Sequence, residues 1–140
     1  MTNAVRETTA QPNDDVAAEA LRDLIVKGML EKKAQEVVVM DLRRVKNAIC
    51  DFFVIGSGNS DTQIDAIASS VEEEVWKGSQ QNPWHQEGRT NREWILVDYV
   101  DVIAHIFNKE RRTFYDLEQL WGDAEIKYIA DDSVAPEMTR

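Results

Sequence analysis

One cysteine, Cys50, and two histidines, His85 and His105, are all that this 140-residue sequence offers of those two residue types. A lone cysteine excludes an internal disulfide framework and any cysteine-rich zinc site. Cys50 therefore reads as a small, partly buried apolar residue rather than a reactive thiol. Neither histidine has a second histidine or a cysteine at ligand spacing, so no metal and no cofactor are expected. His105 falls in an apolar run and reads as a core residue, whereas His85 reads as a surface one. Long hydrophobic runs are missing too, since no stretch approaches the roughly eighteen apolar residues of a membrane helix.

Positive charge is scarce. Sixteen Lys and Arg stand against twenty-six Asp and Glu, for a net charge of −10. That balance argues against direct binding to DNA or another nucleic-acid backbone, where affinity comes from cations displacing counterions. It equally disfavours docking on an anionic membrane. An acidic chain is drawn instead toward a basic partner, with charge setting encounter rate and specificity. The N-terminal residues lack an apolar signal core and carry Glu7, Asp14 and Asp15, where an organellar transit peptide avoids acids. The cytoplasm is the expected location.

What is present describes one globular domain: 43% apolar and 30% charged residues in a chain long enough for a single core. Residues 1–13 are polar, small and aperiodic, and read as a flexible tail. Residues 123–140 are mixed and acidic, and read as a second tail. Residues 14–122 form the expected domain. Residues 1–15 carry −2 and residues 123–140 carry −3, so half of the net charge of −10 belongs to residues 16–122.

Within the body the elements are legible. Asp14 or Asp15 can cap a helix whose apolar positions Leu21, Leu24, Ile25 and Met29 follow helical spacing. Val37-Val38-Val39-Met40 predicts a strand. Phe52-Phe53-Val54-Ile55 predicts another, closed by Gly56-Ser57-Gly58-Asn59. Ser60 and Gln63 form a capping-box pattern for a helix with Ile64, Ile67, Ala68, Val71 and Val75 on one face and Gly78 as its stop. After a polar loop come Trp94–Asp98 and 101–107. Both are nearly continuous in apolar character, so they should be central strands, and the short Tyr99-Val100 link can only join them antiparallel. Phe114, Leu117, Leu120 and Trp121 predict a final helix, stopped by Gly122. This order implies an α+β fold, a mixed β-sheet flanked by helices.

Two groups of residues invite a chemical reading. A strand, a Gly-rich turn at 56–59 and a helix N-terminus can gather backbone amides around an anion. The full GxGxxG pattern is absent, however, because Asp61 stands where its third glycine would fall. The competing reading is a tight turn with one glycine at positive φ. Asp98 and Asp101 could hold magnesium, as paired carboxylates do in nucleotidyltransferases. Their spacing of three across a turn makes a poor clamp; they either bound a turn or present charge to a basic partner. Together these residues motivate an alternative function, a small nucleotide-binding or nucleotidyltransferase-like enzyme. No catalytic triad or nucleophile motif assembles. Trp94 opens a strand after Glu93 and suits a half-exposed binding anchor, with core packing as the rival reading. Arg111-Arg112 reads as a solvated helix start.

The ordered strings are specific enough to carry a resemblance. They are 33–42, then Asp51-Phe52-Phe53-Val54-Ile55-Gly56-Ser57-Gly58-Asn59-Ser60, then Glu87-Gly88 and Trp94-Ile95-Leu96-Val97-Asp98-Tyr99. Asp101-Val102-Ile103-Ala104-His105-Ile106-Phe107 and 112–121 complete the set. Over about residues 17–122 the chain resembles the ribosomal silencing factor family, also called Iojap-related proteins. The resemblance implies a nucleotidyltransferase-like single domain without established catalysis, so no enzyme is expected. It also implies binding to the large ribosomal subunit through ribosomal protein number fourteen. That would block subunit joining and repress translation when nutrients are limiting. Carried over by position, the implied contacts are Trp94, Asp98, Asp101, His105, Tyr115 and Glu118. The family usually has glycine between the two acidic positions, where this sequence has Val100. A homodimer of the free protein is a further expectation, from the tendency of exposed sheet edges to pair.

Overall fold

The computed structural model describes residues 10–112 and 122–129. Helix α1 (Ala10–Glu31) leads into β1 (Gln35–Asp41) and β2 (Phe52–Gly58), followed by helix α2 (Asp61–Ser79). Strands β3 (His85–Glu87), β4 (Trp94–Asp98), β5 (Val102–Asn108) and β6 (Glu125–Tyr128) complete the chain order. All six strands form one sheet in the order β3-β4-β5-β2-β1-β6. The central β2–β5 pair is parallel and every other pair is antiparallel, so the sheet is mixed as expected.

Hydrophobic patterning explains the layering. Strand β2 is buried at every position, and β5 at all but Asn108, because both faces of these central strands are covered. Strand β4 instead alternates, with Ile95 and Val97 buried and Trp94, Leu96 and Asp98 only partly so. On one face, α1 contributes Leu21, Ile25 and Met29, and α2 contributes Ile64, Ile67, Val71 and Val75, to a core shared with Val37, Val54, Val97 and Ile106. The opposite face carries Val38, Met40, Phe53, Ile55, Ile103 and Phe107 in a second cluster that includes no residue of α1 or α2.

The helices touch at backbone distance. A Cβ on Gly28 would lie 2.6 Å from the Val71 Cα, so only glycine lets α1 approach α2 this closely. The buried Ser70 hydroxyl donates to the Gly28 carbonyl at 2.7 Å and locks the crossing.

Three boundaries differ from those expected. Helix α1 begins at Ala10 rather than after Asp14, with Pro12 in the first turn, where its missing N–H costs nothing. Helix α2 runs through Gly78 and stops at Gln80, whose left-handed conformation returns its N–H to the Trp76 carbonyl at 2.9 Å. At the C-terminal side, residues 125–128 are not tail. They pair antiparallel with β1, Met40 opposite Ile126 and Asp41 opposite Glu125, and extend the sheet beyond residue 122. The expected final helix over Phe114–Trp121 lies outside the described residues. Among the described residues, no helix is long and apolar enough to cross a membrane.

Candidate partner-binding site

Strand alternation sets the first half of the site. Trp94, Leu96 and Asp98 share the face of β4 that points away from the helices. His105 lies beside them on β5, directly opposite Leu96. The Trp94 indole N–H donates to His105 Nδ1 at 2.9 Å, which places the proton of the neutral imidazole on Nε2. Among the described residues that buried Nε2 has no hydrogen-bond partner. Phe53 meets the imidazole edge-on at 4.5 Å, and Trp94 stacks on Phe107 at 5.1 Å. Burial in this aromatic surround pulls the His105 pKa down to about 3, so the ring is neutral at physiological pH.

Trp94 is therefore both partly exposed and built into the second core cluster. The loop delivering it is held down by two arginines. Arg89 reaches Glu72 and Ser69 on α2, and Arg92 reaches Asp65 on the same helix.

The second half of the site is the turn between β4 and β5. Val100 has φ 77°, and the Asp101 N–H donates to the Tyr99 carbonyl at 2.9 Å across it, the pattern of a γ-turn. Asp98 Oδ1 accepts the Val100 N–H at 2.7 Å and holds the turn from one side. A left-handed φ is where glycine fits without strain, so Val100 is accommodated at a position built for glycine. This geometry supports the reading in which Asp98 bounds the turn. Along β4, Asp98 stands about 13 Å from Trp94, four residues at strand rise. The structure thus forms two local groups, Trp94 with His105 and Asp98 with Asp101. Tyr115 and Glu118 lie outside the described residues.

Strand register gathers more carboxylates at the Asp98 end of the sheet than the sequence suggested. Asp41 ends β1, Asp51 precedes β2, Asp101 precedes β5, and Glu125 opens β6 opposite Asp41. A cleft of about 660 Å³ at this end is lined by Asp41, Arg43, Arg44, Asp51, Asp123 and Glu125. Arg43 bonds the Asp41 carboxylate at 2.8 Å and Glu19 at 3.0 Å, and its hydrogen bond holds the Asp41 pKa below the usual range. The sequence signal was acids at strand ends, but only the register shows that these ends coincide. Among the described residues, no group of His, Cys, Asp or Glu is arranged to hold a metal.

The glycine reading changes. Gly56, Ser57 and Gly58 are part of β2, not a turn after it, and neither glycine has positive φ. Both point at the helices: a Cβ on Gly56 would sit 2.8 Å from Met29 Sδ, and one on Gly58 3.0 Å from Ile64 Cγ1. They make room for helix packing and gather no amides for an anion. The capping box is real, with Ser60 Oγ accepting the Gln63 N–H at 3.1 Å. Gln63 Oε1 accepts from Asn59 N at 2.7 Å. The nucleotide-binding alternative loses the turn that motivated it.

Arg112 is not solvated either. Its side chain is 11% exposed, and the guanidinium donates to the Glu36 carbonyl at 2.7 Å and to the fully buried Ser57 hydroxyl at 2.9 Å. It braces the left-handed kink of Glu36 in β1, while Arg111 faces outward toward Glu93. Cys50 fits its expected role: it is partly buried, its thiol pKa is pushed up to about 12 by burial, and it donates to the Phe52 carbonyl.

Among the described residues, these features define an α+β protein with α1 and α2 on one face of a six-stranded mixed sheet and an aromatic and acidic surface elsewhere. The family model described as ribosomal silencing factor during starvation matches residues 15–140. The chain is 38% identical over 104 residues to ribosomal silencing factor RsfS of Halalkalibacterium halodurans, covering 74% of this chain and 87% of that protein. It is 36% identical over 96 residues to the Bacillus subtilis protein of the same name, covering 69% and 80%. The fold matches a crystal structure of a Chromobacterium violaceum protein with a TM-score of 0.69 at 24% identity, covering 81% of this chain and 93% of that one. The chain belongs to the ribosomal silencing factor family.

Proposed function

We propose that this protein binds the large ribosomal subunit through the basic ribosomal protein number fourteen. Bound there, it blocks joining of the small subunit and represses translation when nutrients are limiting. Membership of the silencing-factor family carries the reading, through the family match over residues 15–140. The physics is compatible with it. A steric blocker requires a rigid surface and no chemical step. Carboxylates at the Asp98 end of the sheet suit a basic protein and repel the RNA phosphates around it, which favours the right partner over the wrong one. On this reading Trp94, Asp98, Asp101, His105, Tyr115 and Glu118 belong to the contact surface. The protein acts in the cytoplasm without catalysis, and the free form can pair as a homodimer.

Co-sedimentation tests it. The protein should pellet with purified free large subunits and not with assembled ribosomes. Asp101→Lys, a charge reversal at an exposed position, should weaken that binding about tenfold or more. Equal pelleting with assembled ribosomes, or none with free large subunits, refutes the proposal.

A further inference from the structure

Trp84 is the most exposed large hydrophobic among the described residues, at 74%. Its backbone is nevertheless fixed at the acidic end of the sheet. The Trp84 N–H donates to the Asp98 carbonyl at 2.7 Å, and His85, next in sequence, pairs opposite Asp98 across β3–β4. The His85 ring flanks the indole at 5.7 Å. Past Asp98 along the chain come Val100, 57% exposed, and the exposed Asp101. An aromatic side chain held in water on an ordered backbone, at the same end of the sheet as two carboxylates, has the composition of a binding hot spot. Trp94 cannot play this part as freely, because its indole N–H is committed to His105 and its face to Phe107.

We propose that Trp84, with Asp98 and Asp101, docks an arginine-bearing surface of a basic protein. Guanidinium groups stack flat on indoles and pair with carboxylates, so a surface bearing arginines satisfies both features of this end of the sheet. Stacking a nucleic-acid base on Trp84 would bring phosphates against Asp98 and Asp101, which charge disfavours. The inference rests on the large-subunit reading above and names its aromatic anchor.

The test uses the full chain and purified large subunits. Trp84→Ala should bind at least tenfold more weakly than the parent, and Trp84→Phe should fall between them. Both should melt at the parent's temperature, because the side chain is exposed. A photo-reactive p-benzoylphenylalanine at position 84 should crosslink to a basic protein of the subunit. Binding of Trp84→Ala within twofold of the parent overturns the assignment and leaves the large-subunit reading standing, as does a crosslink to ribosomal RNA alone. Failure of the parent itself to bind removes both.

Discussion

Replacing Val100 by glycine should stabilise the protein. Val100 is the one β-branched residue among the described non-glycine positions of positive φ, at 77°, and the turn hydrogen bond from Asp101 to Tyr99 holds it there. A backbone forced into such a region costs about 1–3 kcal/mol, with a β-branched side chain toward the upper end. Against that relief, glycine loses about 0.5–1 kcal/mol through the greater freedom of its unfolded chain. The valine side chain is 57% exposed, so its removal forfeits under half of the ~1.5–3 kcal/mol that full burial provides, about 1 kcal/mol. The balance favours Val100→Gly by about 1 kcal/mol, or about 4 °C in Tm for a domain of this size. Val100→Ala is the control: it loses both γ-methyls yet keeps a Cβ at positive φ, so it should not gain. Urea and thermal unfolding of the three proteins decide the matter. A glycine variant no more stable than the alanine variant would show that the turn carries no strain.

Gly28→Ala should destabilise despite alanine's helix propensity, worth about 1 kcal/mol over glycine. The new methyl meets α2 backbone at Val71 and Ser70, which no rotamer change can relieve, so overpacking of about 3 kcal/mol should leave a net loss of about 2 kcal/mol by urea unfolding. Stability should also depend on pH through His105. Its folded pKa, about 3, lies below the unfolded value of 6.5, so the unfolded chain binds the extra proton as pH falls below 6.5 and stability declines. The decline steepens to about 1.4 kcal/mol per pH unit and totals about 2 kcal/mol by pH 5. Well above pH 6.5 the group is neutral in both states and contributes no slope. His105→Gln keeps an acceptor for the Trp94 indole and should flatten the profile; equal slopes in parent and variant would contradict the assignment.

Hydrophobic period read the interior of the fold well. The apolar runs of β1, β2, β4 and β5, and the helical-period stripe Ile64–Val75 of α2, are local patterns that the sequence displays directly. Misreadings came where a residue's role is set by what packs against it from far along the chain. Gly56 and Gly58 look like a turn until Met29 and Ile64 are placed above them. Arg112 looks solvated until Ser57 and Glu36, 55 and 76 residues away in sequence, supply its partners. The site was legible in the same measure. Asp98 and Asp101 stood out as a pair, and Trp94 and His105 individually. The Trp94–His105 hydrogen bond depends on strand register, and so does the convergence of Asp41, Asp51 and Glu125 on the Asp98 end. Trp84 was visible in the sequence only as one tryptophan among four.

Strand β6 has a consequence for how the chain survives its own synthesis. Until residues 125–128 are made, β1 exposes one unpaired edge along a valine-rich run, Val37-Val38-Val39. Such an edge is a template for pairing with another unfinished chain. The late segment Glu125-Ile126-Lys127-Tyr128 closes it, and the new outer edge it presents carries Glu125 and Lys127 in place of three valines. A protein cut after residue 122 would keep α1, α2 and β1–β5, yet its failing would be clumping rather than unfolding. The final strand acts as an aggregation guard for the first.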